Sequence, residues 1–340
     1  MTLEEQNLRR AFTRQKDRQH CAQLSLHAIE LISLLQQHRG MVLAVLGGDV
    51  FFETRVDAIR PQIIDQLRVL KKFISELFPE AEWQRLCDEW YTLSHHWRQD
   101  SASESFDLHT HVIQQMLLLL RTYNNAGVFD QISEPDRRLA YLTLNQLPEL
   151  METAAEIRGI ATFLLARQSM NEADANANAA NPSPLALKLQ YLHKYFDESL
   201  QRLEQQSPDL QEPASLEQER LARHWQELDV YWQQIQPSLK LFGLQPRPSP
   251  YPVRRRRSLS RARSSEVLTA TAHTKGSEAQ LPDAHVQLFF NEISELVFSI
   301  QRLIKLGLAA IPRMTEPSLA EWIDIAPPAQ HRRPRSLLRH

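Results

Sequence analysis

The chain has 340 residues, 42% of them hydrophobic, and 39 Lys+Arg against 41 Asp+Glu, so it is long enough to bury one large or two ordinary cores and is not a disordered coat. Eight glycines leave little material for a Gly-rich phosphate loop, and the abundance of Leu, Gln, Glu, Ala and Arg predicts an all-α protein. The near-neutral sum hides an uneven distribution, because residues 245–282 hold eight basic residues (Arg247, Arg254, Arg255, Arg256, Arg257, Arg261, Arg263 and Lys275) against Glu266 and Glu278.

Taken in order, the punctuation divides the chain into about eight helices, which pack most simply as two stacked antiparallel four-helix bundles. The first is predicted from about Arg18 to Leu46, stopped by Gly47-Gly48, with Asp49 placed to cap the next. The second runs from Val50 to Phe78, with Pro61 as an expected kink, and ends at Pro79. The third, Glu80 to Arg98, carries Trp83, Trp90 and Trp97 at seven-residue spacing, which puts the three rings on one packing face. The fourth covers Ser103 to Tyr123 and is broken by Asn124-Asn125-Ala126-Gly127.

A fifth helix begins at the Ser133-Glu134-Pro135-Asp136 cap and runs to about Gln168, with Pro148 as an expected kink ahead of Arg158. After a Met170–Pro184 loop come helix six, Leu185 to Gln206, and helix seven, Leu216 to Leu241. Residues 245–282 read as a basic disordered linker, and 312–340 as a Pro/Arg-rich tail. Between them, Asp283 to Ile311 is an eighth helix too apolar to stand alone in water; it must return to the second bundle or meet a partner. Residues 18–244 with 283–311 are therefore expected to form the helical domain.

Two of these helices share an anomaly. On the first, Leu24, Ala28, Leu31, Leu35, Val42 and Leu46 recur at helical spacing, and Arg39 falls on that inward face. On the fifth, Met151, Ala154, Ala161 or Thr162, and Leu165 form the stripe, and Arg158 stands where the next apolar residue is due. The surroundings align without gaps, Arg-Gly-Met-Val-Leu-Ala-Val-Leu at 39–46 and Arg-Gly-Ile-Ala-Thr-Phe-Leu-Leu at 158–165. A guanidinium keeps its proton in a protein, so burial demands a negative partner or enough acceptors. Gly40 and Gly159, each costing about 1 kcal/mol against alanine inside a helix, point to a close backbone approach. Two inward forks suit a planar anion, and Thr162, one turn after Arg158, adds a hydroxyl to the same face. The plainer alternative is that Arg39 and Arg158 pair with buried carboxylates, with Glu30, Glu152 and Glu156 at hand, or snorkel from the stripe edge and stitch the helices.

With both halves present on helices one and five, the pair resembles the nitrate- and nitrite-sensing (NIT) domain of bacterial signalling proteins. The resemblance covers roughly residues 20–311 in architecture, and Gln37–Leu46 and Ala155–Ala166 in motif. It implies an all-helical fold of two four-helix bundles, nitrate or nitrite as ligand, Arg39 and Arg158 as anion ligands and Gly40 and Gly159 as the residues that permit their approach; with Thr162, from its place on the same face, these form the expected ligand-binding set. Further arginines of the family's pocket have no motif to place them, which leaves Arg55, Arg60 and Arg121 as candidates. Where related sequences often carry a charged residue before the first arginine, this chain has His38. The family usually joins the sensor to an output module and none is visible here, so the expected receiver is a separate downstream regulatory protein, or nucleic acid through the basic linker.

The remaining signals are weaker. His109-Thr110-His111 and His95-His96 read as surface or packing histidines, since residues two apart on a helix point apart. No metalloprotease, phosphate-loop or nucleophile-elbow pattern occurs, so neither enzymatic activity nor a cofactor or metal is expected. Arg254, Arg255, Arg256 and Arg257 offer an RNA contact without an aromatic stacking platform. Cys21 and Cys87 are too few for a disulfide framework, the segment Met1–Arg18 has no signal-peptide core, and the densest apolar run, Met116–Leu120, falls far short of a membrane span of about 20 residues. A cytoplasmic protein without membrane contact, free to form a homodimer, is expected. The reading is thus a nitrate/nitrite-sensing regulator that signals by helix repacking; the alternative is a helical scaffold with structural arginines, contacting nucleic acid through its basic linker.

Overall fold

The computed structural model describes residues 3–74, 79–124, 127–170, 183–207, 216–242, 244 and 281–314. The chain is all-α, with no strand among those residues. The helices are α1 (Leu3–Leu46), α2 (Glu53–Ile74), α3 (Glu80–His96), α4 (Ala102–Asn124), α5 (Glu134–Tyr141), α6 (Leu147–Met170), α7 (Pro184–Gln206), α8 (Leu216–Leu239) and α9 (Leu281–Ala310). A π turn, Leu142–Gln146, joins α5 to α6 without a break, so the two form one rod and the described residues make eight helical rods.

Helix α1 packs on α2 and α4, and α3 on α4; α6 packs on α7 and α9, and α8 on α9. These are the two four-helix bundles, and the contact of α1 with α6 joins them. The apolar α9 returns to the second bundle, burying Val286, Phe289, Phe290, Ile293, Leu296, Val297, Ile300, Leu303 and Ile304. Each such side chain contributes roughly 1.5–3 kcal/mol when taken fully from water.

Local chemistry sets the ends. Gly48, with φ of 110°, turns the chain out of α1, and Asp49 accepts a bond from the Phe51 amide at 3.0 Å to start a short 3-10 turn, Val50–Phe52. Ser133 accepts from the Asp136 amide at 3.3 Å and caps α5, while Ser183 caps α7 through the Ala186 amide at 3.2 Å. Trp83, Trp90 and Trp97 are all buried on the inner side of α3 and the turn after it.

Some boundaries differ from expectation. Helix α1 begins at Leu3 rather than near Arg18; Arg18 is itself buried, and the N-terminal turns lie along the 3-10 turn Ile311–Arg313, where Gln15 donates to the Pro312 carbonyl. The tail therefore starts with packed residues, and Met314 is buried. Helix α9 starts at Leu281, two residues inside the expected linker. Helix α2 carries Pro61 within its span. Ahead of Pro148 the rod takes the π turn, where the Leu147 amide bonds to the Leu142 carbonyl; proline has no N–H to continue the ordinary ladder. Residues 245–280 and 315–340, with Arg254–Arg257, lie outside the described residues.

Both helices that carry an Arg-Gly pair are enclosed rather than merely amphipathic. Every residue from His38 to Ala44 on α1, and every residue from Leu150 to Phe163 on α6, is buried. A helix surrounded on all sides is normally apolar all round. The charges in these two segments are the exception.

Candidate functional site

The α1–α6 crossing falls at the two glycines. A Cβ built on Gly159 would lie 3.8 Å from the Gly40 Cα and 3.0 Å from the Leu43 Cδ1, and one on Gly40 would lie 3.0 Å from Phe290 Cε2 and 3.4 Å from Arg158 Nε. The missing side chain at Gly40 thus gives the Arg158 guanidinium and the Phe290 ring their room against the α1 backbone.

Arg39 and Arg158 are both 0% exposed. They are not held alike. Arg39 makes a two-pronged ion pair with Glu152, Nη1 to Oε1 at 2.6 Å and Nη2 to Oε2 at 3.2 Å, and Nη1 also donates to Thr110 Oγ1 at 2.9 Å. Gln36 Nε2 donates to the same Glu152 Oε2 at 2.8 Å. The plainer expectation, a buried carboxylate for the arginine, describes Arg39.

Arg158 has no carboxylate within ion-pair distance among the described residues. Its Nη1 donates to Ser294 Oγ at 3.1 Å and its Nη2 to the Gln36 carbonyl at 2.9 Å, while its face lies over the Phe290 ring at 4.9 Å. Burial, with the Arg39 charge adding to it and Glu152 opposing it, draws the guanidinium down to about 9, so it stays protonated at neutral pH. The Nε–H donors of both arginines, and Gln36 Oε1, are buried without a hydrogen-bond partner. Leaving such a donor unsatisfied costs roughly 1–3 kcal/mol, more on a charged group.

Glu156, one turn after Glu152, is also buried and makes no hydrogen bond or ion pair among the described residues. Burial, and then the Glu152 charge, push its carboxyl up to about 7; Arg39 and Lys188 pull the other way. Between Arg39 and the surface stands Phe106, with the Arg39 guanidinium 5.2 Å from its ring centre and Lys188 Nζ 4.3 Å from it. Lys188 is paired with Asp107 at 2.9 Å.

His38, next to Arg39 on α1, is buried against His109 and Trp90. His109 Nδ1 donates to the Ser105 carbonyl at 2.6 Å, so its Nε2 must accept from His38 Nδ1, 2.8 Å away, and both rings are neutral. Burial holds His38 well below its ordinary range and His109 down at about 3. His111, two residues on, points to solvent beside Glu89. His95 and His96 are exposed, as a surface reading requires.

The structure does not gather the other sequence candidates here. Thr162 is buried one turn after Arg158, but its hydroxyl donates back to the Arg158 carbonyl at 2.7 Å. Arg55 is exposed over Phe51, Arg60 pairs with Asp57 and His95, and Arg121 pairs with Glu149, all at the surface of the bundle. They were placed by residue type alone, and each finds another partner. Gln36, Thr110 and Ser294 were missed: Thr110 and Ser294 come from helices far apart in sequence, and Gln36, three residues before Arg39 on α1, is an ordinary helix residue without a local signal. Ser294 alone left a trace, as a polar residue between Phe290 and Val297 on the apolar stripe of α9.

Among the described residues no cluster of His, Cys, Asp or Glu is arranged to hold a metal, and no helix is long and apolar enough to cross a membrane. Comparison with protein-family models, with curated proteins and with solved structures finds no match.

Proposed function

We propose that the chain is a regulatory protein that binds nitrate or nitrite between α1 and α6, using Arg39 and Arg158. The observation that carries the proposal is the unequal treatment of two facing arginines. Arg39 is neutralised by Glu152, whereas Arg158 is fully buried with a protonated guanidinium, no carboxylate partner among the described residues and an unpartnered Nε–H. Arg39, Arg158 and Glu152 together carry one net positive charge, which matches a monovalent anion wherever the Glu156 carboxyl, pushed up to about 7 by burial, holds its proton. A planar oxyanion suits guanidinium forks better than a spherical ion does. The α1–α6 contact joins the bundles, so an anion that prefers one packing of that contact shifts the population of both.

A specific observation also favours the scaffold reading, namely that the Arg39–Glu152 pair by itself is a sufficient structural device. Calorimetric titration of the full chain with nitrate, nitrite and chloride separates the two. Saturable binding of nitrate or nitrite, lost in Arg158→Met with the helical circular dichroism retained, supports the sensor. A folded chain that gives no binding signal with any of them leaves the scaffold. Its nucleic-acid form is checked by deleting residues 254–263, which must abolish salt-dependent RNA retention.

A further inference from the structure

We propose that the Glu152 carboxylate is a tethered competitor for the anion, holding Arg39 until nitrate or nitrite exchanges with it. This rests on the sensor reading above and concerns its regulation. The carboxylate presents Arg39 with two oxygens in one plane, which accept from the two terminal nitrogens at 2.6 and 3.2 Å, and this is the face that a planar oxyanion would present. A third donor, Gln36 Nε2, reaches the same carboxylate at 2.8 Å. With both terminal nitrogens so occupied, and Nη1 shared with Thr110, only Nε of Arg39 is unpartnered. Arg39 and Arg158 therefore act together on a ligand only after Glu152 lets go.

The surroundings make the release feasible. Glu152 is not clamped by a second cation: its direct partners are Arg39 and Gln36, and Arg158 is turned to Ser294 and the Gln36 carbonyl. Gln36 touches both ends, giving its amide to Glu152 and its main-chain oxygen to Arg158. Exchange at Arg39 is thus felt at Arg158 through one residue of α1. Two arrangements of the same donors follow, one closed by the protein's own carboxylate and one by the ligand. The ligand biases the pair only by the difference in its affinity for them.

The test is Glu152→Gln in the full chain, titrated with nitrate, nitrite and chloride. Nitrate or nitrite affinity is expected to rise roughly tenfold or more over the parent, with a smaller gain for chloride. Glu152→Asp, which withdraws the carboxylate by one methylene, is expected to fall between and serves if the glutamine variant does not fold. Binding by the variants alone, with none in the parent, overturns it, because the anion then never exchanges with Glu152 in the protein itself. A parent that binds while the variants bind no tighter overturns it and leaves the sensor reading standing. An equal gain for chloride overturns it too, since charge alone would then account for the effect. If neither parent nor variants take up nitrate or nitrite, the sensor reading falls, and the competitor with it.

Discussion

A buried guanidinium is tolerated when a carboxylate and further acceptors surround it, which is the situation of Arg39 and not of Arg158. The two should answer oppositely to the same substitution. Arg39→Met strands the Glu152 charge and is expected to destabilise by roughly 3–5 kcal/mol, whereas Arg158→Met removes an unpaired buried charge and is expected to be neutral or stabilising by about 1–4 kcal/mol. Urea unfolding midpoints in anion-free buffer check the pair; equal losses would show that Arg158 is a structural strut. The titratable residues give a second expectation. Glu156, raised to about 7 in the fold from an ordinary 4.5, favours the folded state at low pH, and that contribution is lost as pH climbs from about 4.5 through 7. His38 and His109 are lowered from 6.5, so the fold binds fewer protons than the unfolded chain and loses stability as pH drops below 6.5. Glu156→Gln should therefore gain over the parent between pH 5 and 7.5, and below pH 6.5 it should fall more steeply, because the histidines act unopposed. Thermal midpoints across that range check both signs.

Between helices the decisive contacts are made by residues with no side chain. Alanine at Gly40 gains about 1 kcal/mol of helix propensity but meets the Phe290 ring at 3.0 Å, and that ring is wedged between Arg158 and Phe52, so a net loss of roughly 1–2 kcal/mol is expected. At Gly159 the neighbour is a Leu43 methyl, which can turn aside, and the change should be close to neutral. Gly307→Ala on α9 is the severest of the three, because its Cβ would overlap the Thr143 hydroxyl in the π turn. Denaturation of the three variants ranks them. Most of the elements were legible beforehand because apolar periodicity and Gly, Pro and Ser punctuation are local signals; α4, α7 and α9 end within a few residues of expectation. The first turns of α1 were not, since Glu5 to Asp17 is mostly exposed and carries no apolar stripe, while Gln15 reaches a partner some 300 positions away. The site was half legible for the same reason. Arg39 and Arg158 stood out against their own stripes, and Glu152 appeared among the carboxylates at hand, but nothing local said which arginine it would choose or that Thr110 and Ser294 would be their other partners.

At the scale of the molecule, α1 and α6 are the axle of both bundles, and a ligand bound between them must stabilise the whole fold. Nitrate at about 100 times its dissociation constant is expected to add roughly 2.7 kcal/mol to the unfolding free energy, read as a concentration-dependent rise in the thermal midpoint that chloride does not reproduce. A flat midpoint would count against binding at this place. The direction in which α6 faces is itself set upstream, at the π turn Leu142–Gln146. A turn of that kind holds one residue more than an α-helical turn, and one residue is worth about 100° of rotation about the axis. Thr143 addresses Gly307 on α9 from within it, and Glu152, Glu156 and Arg158 address α1 after it. Shortening that turn by a single residue would leave a smoother helix that still packs as a rod, yet aims its charges past their partners; the phase of one helix, more than any one side chain, decides whether the two Arg-Gly segments ever meet.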